Sequence, residues 1–148
     1  MSHLIRKSHN VSILVYHFVC PAKYRRAVID EEVDQVLKEV CLEIAKRYQI
    51  EFLEIGTDGD HTHFLVQSVP SYSPTKIITI IKSLTAKEIF VRVPSVKKQL
   101  WGGEFWSDGY YVSTVGQHAT EEVVKQYVKQ QGQEKEYQQL HVQQLKLF

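Results

Sequence analysis

The chain has little cysteine, almost no net charge and no long apolar run, and each shortage excludes something. Two cysteines, Cys20 and Cys41, in 148 residues are too few for a disulfide framework and stand at no metal-binding spacing. A reducing compartment is the expectation. No stretch of about 18 apolar residues occurs, so no membrane span is expected. The first ten residues are polar and lack the apolar core of a secretory signal, which adds to the expectation of a cytoplasmic protein. A net charge of +1 argues against a nucleic-acid partner held by bulk basic charge. What is present is apolar content: 43 % of residues suffice for one domain with a real core at this length.

The small total conceals a segregation of charge. Residues 1–29 carry +5 and residues 30–60 carry −7, residues 61–100 carry +5 and the remainder −2. The fold decides which of these segments adjoin, so the pattern is a hint about patches and no more.

Secondary structure follows from periodicity. Asn10–Cys20 is rich in Val, Ile, Tyr and Phe and stops at Pro21, so a buried strand is expected. From Asp30 to Tyr48 an Asp-Glu-Glu first turn precedes Val33, Val36, Leu37, Val40 and Ile44, a helical stripe. Ile50–Thr57 and His61–Val69 read as two strands joined by a turn at Thr57-Asp58-Gly59-Asp60. A second helix starts at Ser73-Pro74 and carries Ile77, Ile78, Ile81, Leu84, Ile89 and Phe90. Glu104–Thr114 reads as a fourth strand, and Thr120–Gln131 as a third helix with Thr120 at its cap. Residues 133–148 form a polar, glutamine-rich tail beyond a domain spanning 1–132. The order predicts an α+β fold of the split β-α-β kind, ferredoxin-like or RRM-like: an antiparallel sheet with helices on one face and a last helix at the C-terminus. Such a fold hosts many functions and decides none.

Three stretches could carry chemistry. In Gly59-Asp60-His61-Thr62-His63-Phe64 the two histidines are two apart on a strand, so both imidazoles project from one face. They could hold a metal with help from elsewhere, or be solvated residues beside a turn. In Thr120–Gln131 the residues Tyr127 and Gln131 lie one helical turn apart. A phenol can act as nucleophile and an amide oxygen can complete a metal site; equally, the tyrosine could pack and the glutamine be solvated. The run from Trp101 to Gly116 interleaves aromatics with glycine, which suits flat bases but more often builds core. His17, on an apolar strand, reads as a hydrogen-bonded core histidine rather than a ligand.

Taken together and in order, Leu14-Val15-Tyr16-His17-Phe18-Val19-Cys20-Pro21-Ala22-Lys23-Tyr24-Arg25-Arg26, the His-Thr-His strand, the Trp-Gly-Gly-Glu-Phe-Trp-Ser-Asp-Gly-Tyr run and the tyrosine helix resemble the single-tyrosine HUH transposases of the insertion-sequence two-hundred/six-hundred-five type. The resemblance covers roughly residues 10–132. It departs at Thr62, where a hydrophobic residue is frequent; that side chain should face away from the histidines.

The resemblance implies a metal-dependent enzyme acting on single-stranded DNA. His61, His63 and Gln131 would hold one divalent cation, Mg²⁺ or Mn²⁺, and Tyr127 would attack the scissile phosphate to give a 5′-phosphotyrosine link and a free 3′-hydroxyl. That covalent link keeps the bond energy for rejoining, so no nucleotide cofactor is implied. It further implies a homodimer whose sites are shared in trans, with Gly116 as the hinge of the tyrosine helix. The substrate would be insertion-sequence ends folded into hairpins, in a bacterial or archaeal cytoplasm. Phosphate contacts are sought among Lys23, Arg25, Arg26, Lys76, Lys82 and Lys87. Two other readings stand beside this one. A non-catalytic single-stranded nucleic-acid-binding module would use the open sheet face, and a metallo-phosphodiesterase would use water as nucleophile and leave Tyr127 structural.

Overall fold

The computed structural model describes residues 5–7, 10–12, 14–101 and 103–115, and within them an antiparallel sheet carries its helices on one face. In chain order the elements are β1 (Ile5–Lys7), β2 (Asn10–Ser12), β3 (Leu14–Pro21), α1 (Glu31–Arg47), β4 (Ile50–Thr57), β5 (His61–Ser68), α2 (Pro74–Arg92), α3 (Ser95–Gln99) and β6 (Tyr111–Val115). The main sheet has the order β4-β5-β3-β6, every neighbour antiparallel. Each β-α-β unit therefore has a strand of the other inserted between its own two, as the α+β expectation required.

The helices form where the sequence signals them. Asp30 caps α1 by accepting from the Val33 amide at 2.9 Å, and Glu31, Glu32 and Asp34 occupy the positive end of the helix dipole. Ser73 caps α2 in the same way, accepting from the Lys76 amide at 3.0 Å. Val33, Leu37, Val40, Cys41 and Ile44 of α1 and Ile77, Ile78, Ile81 and Ile89 of α2 share one core with Phe18, Phe52, Ile55, Phe64 and Val66 of the sheet. Trp106 joins that core, its indole N–H donating to the Thr85 hydroxyl at 3.0 Å. Burial has pushed the thiol of Cys20 up to about 12, so it is a core residue and not a reactive one.

Three expectations need correction. The strand foreseen over Asn10–Cys20 is two: β2 pairs back onto β1 as a separate two-stranded sheet, and β3 alone enters the main sheet. Strand-forming composition cannot reveal where a chain changes sheets, because the partner is chosen at long range. The strand foreseen over Glu104–Thr114 is confined to Tyr111–Val115. Before it, only one antiparallel bridge, Trp106 to Ala22, continues the pairing, with the Lys23 amide on the Phe105 carbonyl and the Ser107 amide on the Pro21 carbonyl. Beyond it the Lys82 ammonium donates to the oxygens of Ser107 (2.7 Å) and Asp108 (3.3 Å) in place of a strand partner. Third, the short helix α3 was not foreseen; it buries Val96 against the same core.

Among the described residues no helix is long and apolar enough to cross a membrane. The helix foreseen over Thr120–Gln131, the hinge Gly116 and the tail 133–148 lie outside the described residues.

Candidate metal centre

The site is built on the turn that feeds β5. Gly59 adopts φ +57°, a left-handed conformation open to glycine at little cost. The turn is pinned from both sides, by the Ala22 amide on the Asp60 carbonyl (2.8 Å) and the Ile29 amide on the Gly59 carbonyl (2.9 Å). His61 therefore starts β5 from a fixed point, and His63 follows on the same face. Their ring centroids are 5.0 Å apart. Thr62 is fully buried toward the helices, as the strand period requires.

Register brings further residues to this face. Val19 stands opposite His63 and His17 opposite Leu65, so His17 is the diagonal neighbour of His63. The two rings stack at 5.1 Å and 15°, with His17 Nε2 2.9 Å from His63 Nδ1. Tyr111, on β6, turns its ring edge-on to His17 at 6.3 Å. On the other ring of the pair, His61 Nδ1 lies 2.8 Å from Asp60 Oδ1. A register slip between Phe52 and Glu54 sends Phe52 and Ile55 to the helix side and Glu54 to the histidine side, an assignment no simple alternation would give.

Burial governs the charge state. His63 is lowered to about 3, chiefly by desolvation and then by the neighbouring His17 and His61. His17 is lowered to about 4 by desolvation. Both are thus neutral near pH 7, the form that offers a lone pair to a cation. Asp60 is held below the ordinary carboxylate range, first by its hydrogen bond with His61; an ionised carboxylate only accepts, so His61 carries its proton on Nδ1. At His61 this leaves Nε2 as the nitrogen a cation would take; at His63 the nitrogen on offer depends on which ring holds the proton of the His17–His63 bond.

His61 and His63 are thus brought together, and they suit an ion that accepts imidazole nitrogen. Among the described residues no cluster of three His, Cys, Asp or Glu side chains could hold a metal, so these two would need a further donor. Gln131, foreseen as that donor, and Tyr127, foreseen as the nucleophile, lie outside the described residues.

The basic residues divide. Arg25 reaches Asp60 Oδ2 at 3.4 Å and so stands beside the His61 turn. Lys23 pairs with Glu104 at 3.0 Å, and the Arg26 guanidinium lies 4.7 Å over the exposed Trp101 ring. Lys82 is committed to the loop before β6. Lys76 sits over the Tyr72 ring at 4.4 Å, and Lys87 is exposed on α2. Residue-type reasoning did not single out Asp60 as a partner of His61, nor Tyr24 and Trp101, two exposed aromatics at φ 59° and 54°. The first could have been suspected from its place beside His61; Trp101 opens the aromatic run that suits flat bases and Tyr24 lies in the Leu14–Arg26 run, but nothing in either run marks these two as exposed.

Comparison with known proteins gives the family and the fold. Residues 10–131 match the family model described as "Transposase IS200 like". The chain is 30% identical over 118 residues to the ISDra2 transposase TnpA of Deinococcus radiodurans, covering 80% of this chain and 84% of that one. It is 27% identical over 119 residues to the transposase for insertion sequence element IS200 of Salmonella typhimurium, covering 80% and 77%. Among solved structures, a Deinococcus radiodurans protein assigned as a transposase superposes with a TM-score of 0.69 at 29% identity, covering 86% of this chain and 97% of that one. A REP-associated tyrosine transposase bound to a REP hairpin superposes at 0.53 with 11% identity, covering 89% and 75%, a likeness of fold.

Proposed function

The chain belongs to the IS200-like transposase family, and from that premise we propose that it cleaves and rejoins single-stranded DNA at insertion-sequence ends through a 5′-phosphotyrosine intermediate. The observation that carries this reading is the pair His61 and His63, side by side with each Nδ1 engaged by a protein group. Such a pair is built to present two Nε2 atoms to one cation, and Gln131 is the third ligand we assign. Imidazole donors favour Mn²⁺ over Mg²⁺, which prefers oxygen. When bound, the cation would polarise the scissile phosphate and offset charge on the leaving oxygen.

The remaining steps belong to the chain. Tyr127 Oη gives up its proton and attacks phosphorus; the P–O3′ bond breaks, the 3′ oxygen is protonated, and the 5′ phosphate stays on the tyrosine. A 3′-hydroxyl attacking the same phosphorus reverses the exchange and releases the phenol, so no nucleotide is consumed. The phenol's ordinary pKa of ~10 means that the proton must leave as attack proceeds. Arg25 and Arg26, at the His61 end of the sheet, are the residues we assign to the DNA backbone there. The hairpin-bound fold neighbour supports hairpins as the recognised shape. We further assign residues 1–132 as the catalytic domain, Gly116 as the hinge of the tyrosine helix, and a homodimer that shares its sites in trans.

The test is a denaturing gel of full-length protein, Mn²⁺ and single-stranded DNA bearing imperfect hairpins. A covalent protein–DNA adduct that disappears in Tyr127→Phe is the expected result. Metal-dependent cutting without an adduct in either chain would instead make this a phosphodiesterase using water. Hairpin binding with no cutting under any metal would make it a binding module.

A further inference from the structure

The hydrogen bond between His17 and His63 has one proton to place between two nitrogens, and its position decides whether His63 can serve a cation. If His17 Nε2–H donates to His63 Nδ1, the neutral His63 ring carries its proton on Nε2 and cannot coordinate there. If His63 Nδ1–H donates to His17 Nε2, the Nε2 lone pair of His63 is the coordinating one. We propose that His17 is the positioning residue of the metal centre: it accepts the Nδ1 proton of His63 and so holds that ring in the tautomer and orientation that present Nε2.

Several observations carry this beyond packing. His17 is 1% exposed and His63 6%, so neither ring can trade this partner for bulk water at low cost. The β3–β5 register sets His17 diagonally across from His63, and the stacked rings at 15° leave them little freedom to turn. The arrangement also repeats at the neighbouring ring, where Asp60 accepts the Nδ1 proton of His61 at 2.8 Å. Each histidine of the pair thus has a hydrogen-bond partner at Nδ1, the arrangement by which proteins orient imidazole ligands.

The acceptors differ for a physical reason. His61 is half-buried at the mouth of the turn, where a carboxylate keeps part of its hydration. At the buried His63 position a carboxylate would have to be desolvated, whereas a neutral imidazole accepts a proton without bringing a charge inside. His17 itself is not a ligand in this arrangement, because its Nε2 is occupied by the bond to His63.

The inference rests on the cation reading of His61 and His63, and its test separates the two. In the metal-free full-length protein, ¹⁵N NMR of the imidazoles should place the His63 proton on Nδ1. Mn²⁺ titration should then show affinity falling about 10–100-fold in His17→Phe, which keeps a ring without an acceptor. His17→Gln, which supplies a carbonyl acceptor, should return affinity to within several-fold of the unmodified chain. A His63 proton found on Nε2 overturns the proposal. So does a folded His17→Phe chain, judged by near-ultraviolet circular dichroism, that binds Mn²⁺ as the unmodified chain does. An unmodified chain that binds no Mn²⁺ overturns the cation reading itself, and is told apart because the NMR measurement needs no metal.

Discussion

The two faces of the one sheet are built on opposite terms. Toward the helices β5 sends Thr62, Phe64, Val66 and Ser68, and the large side chains there meet Phe18, Phe52, Ile55 and both long helices. Toward the other side it sends His61, His63, Leu65 and Gln67, joined across the register by His17 and Glu54. His17, His63, Glu54 and Gln67 are all buried, although α1, α2 and α3 pack on the opposite face. One face therefore gains stability by removing apolar surface from water, at roughly 25 cal/mol per Å². The other gives up part of that gain to keep polar groups in a dry, fixed arrangement. The difference teaches that adjacent residues of a single strand can answer to different demands.

The sharpest way to break this comparison is to cut neighbours on β5. His63→Ala should lower DNA cleavage per folded molecule by at least about 100-fold, the scale at which loss of a coordinating or acid–base group is felt, while the folded fraction still binds hairpins. Phe64→Ala should do the reverse, costing about 3–5 kcal/mol of stability in a chemical denaturation curve while the folded fraction still cleaves. If both variants lost cleavage per folded molecule equally, the two faces would not be separable in this way.

Next in size is acid. The folded-state values of His17 and His63 lie near 4 and 3, below the ordinary 6.5 of an unfolded histidine. Between those values the unfolded chain binds more protons, so stability present above pH 6.5 is lost as pH falls toward 4 and 3. The slope is at most about 1.4 kcal/mol per pH unit for each ring. Removing one of them in His17→Phe should make the urea midpoint fall less steeply between pH 6.5 and 4.5. An unchanged slope would show that burial of this ring does not govern its proton affinity. Smallest is a change on the helix side: Asp30→Ala removes the cap of α1 and should cost about 1 kcal/mol with no effect on cleavage per folded molecule.

Charge is sorted along the chain rather than between the two faces. The acidic segment 30–60 builds α1 on the helix side, where Glu39 and Glu43 meet Arg92 of α2 at 3.3 and 3.4 Å. Such exposed pairs contribute little to stability, but they set part of the acid against base. Near the histidines the basic segment supplies Arg25 beside Asp60 and Arg26 over Trp101. The total of +1 thus sums segments of opposite sign that meet one another in the fold, as Arg92 of α2 meets Glu39 and Glu43 of α1.

By itself the sequence determined what depends on near neighbours along the chain. The stripe of α1 and the shared face of His61 and His63 follow from backbone periods of 3.6 and 2, and the starts of α1 and α2 and the turn at Gly59 follow from local residue chemistry. The family, too, was legible, because its motifs are local runs in a fixed order. Tertiary structure alone decided which residues meet across the sheet. His17 and His63 are 46 residues apart, and only the β3–β5 register makes them a pair. Glu54 reaches the histidine face because the register slips beside it, and Lys82 ends at the loop before β6 because α2 carries it there. A residue's type limits the bonds it can make, but the partner that completes the bond is chosen by strand register and helix packing.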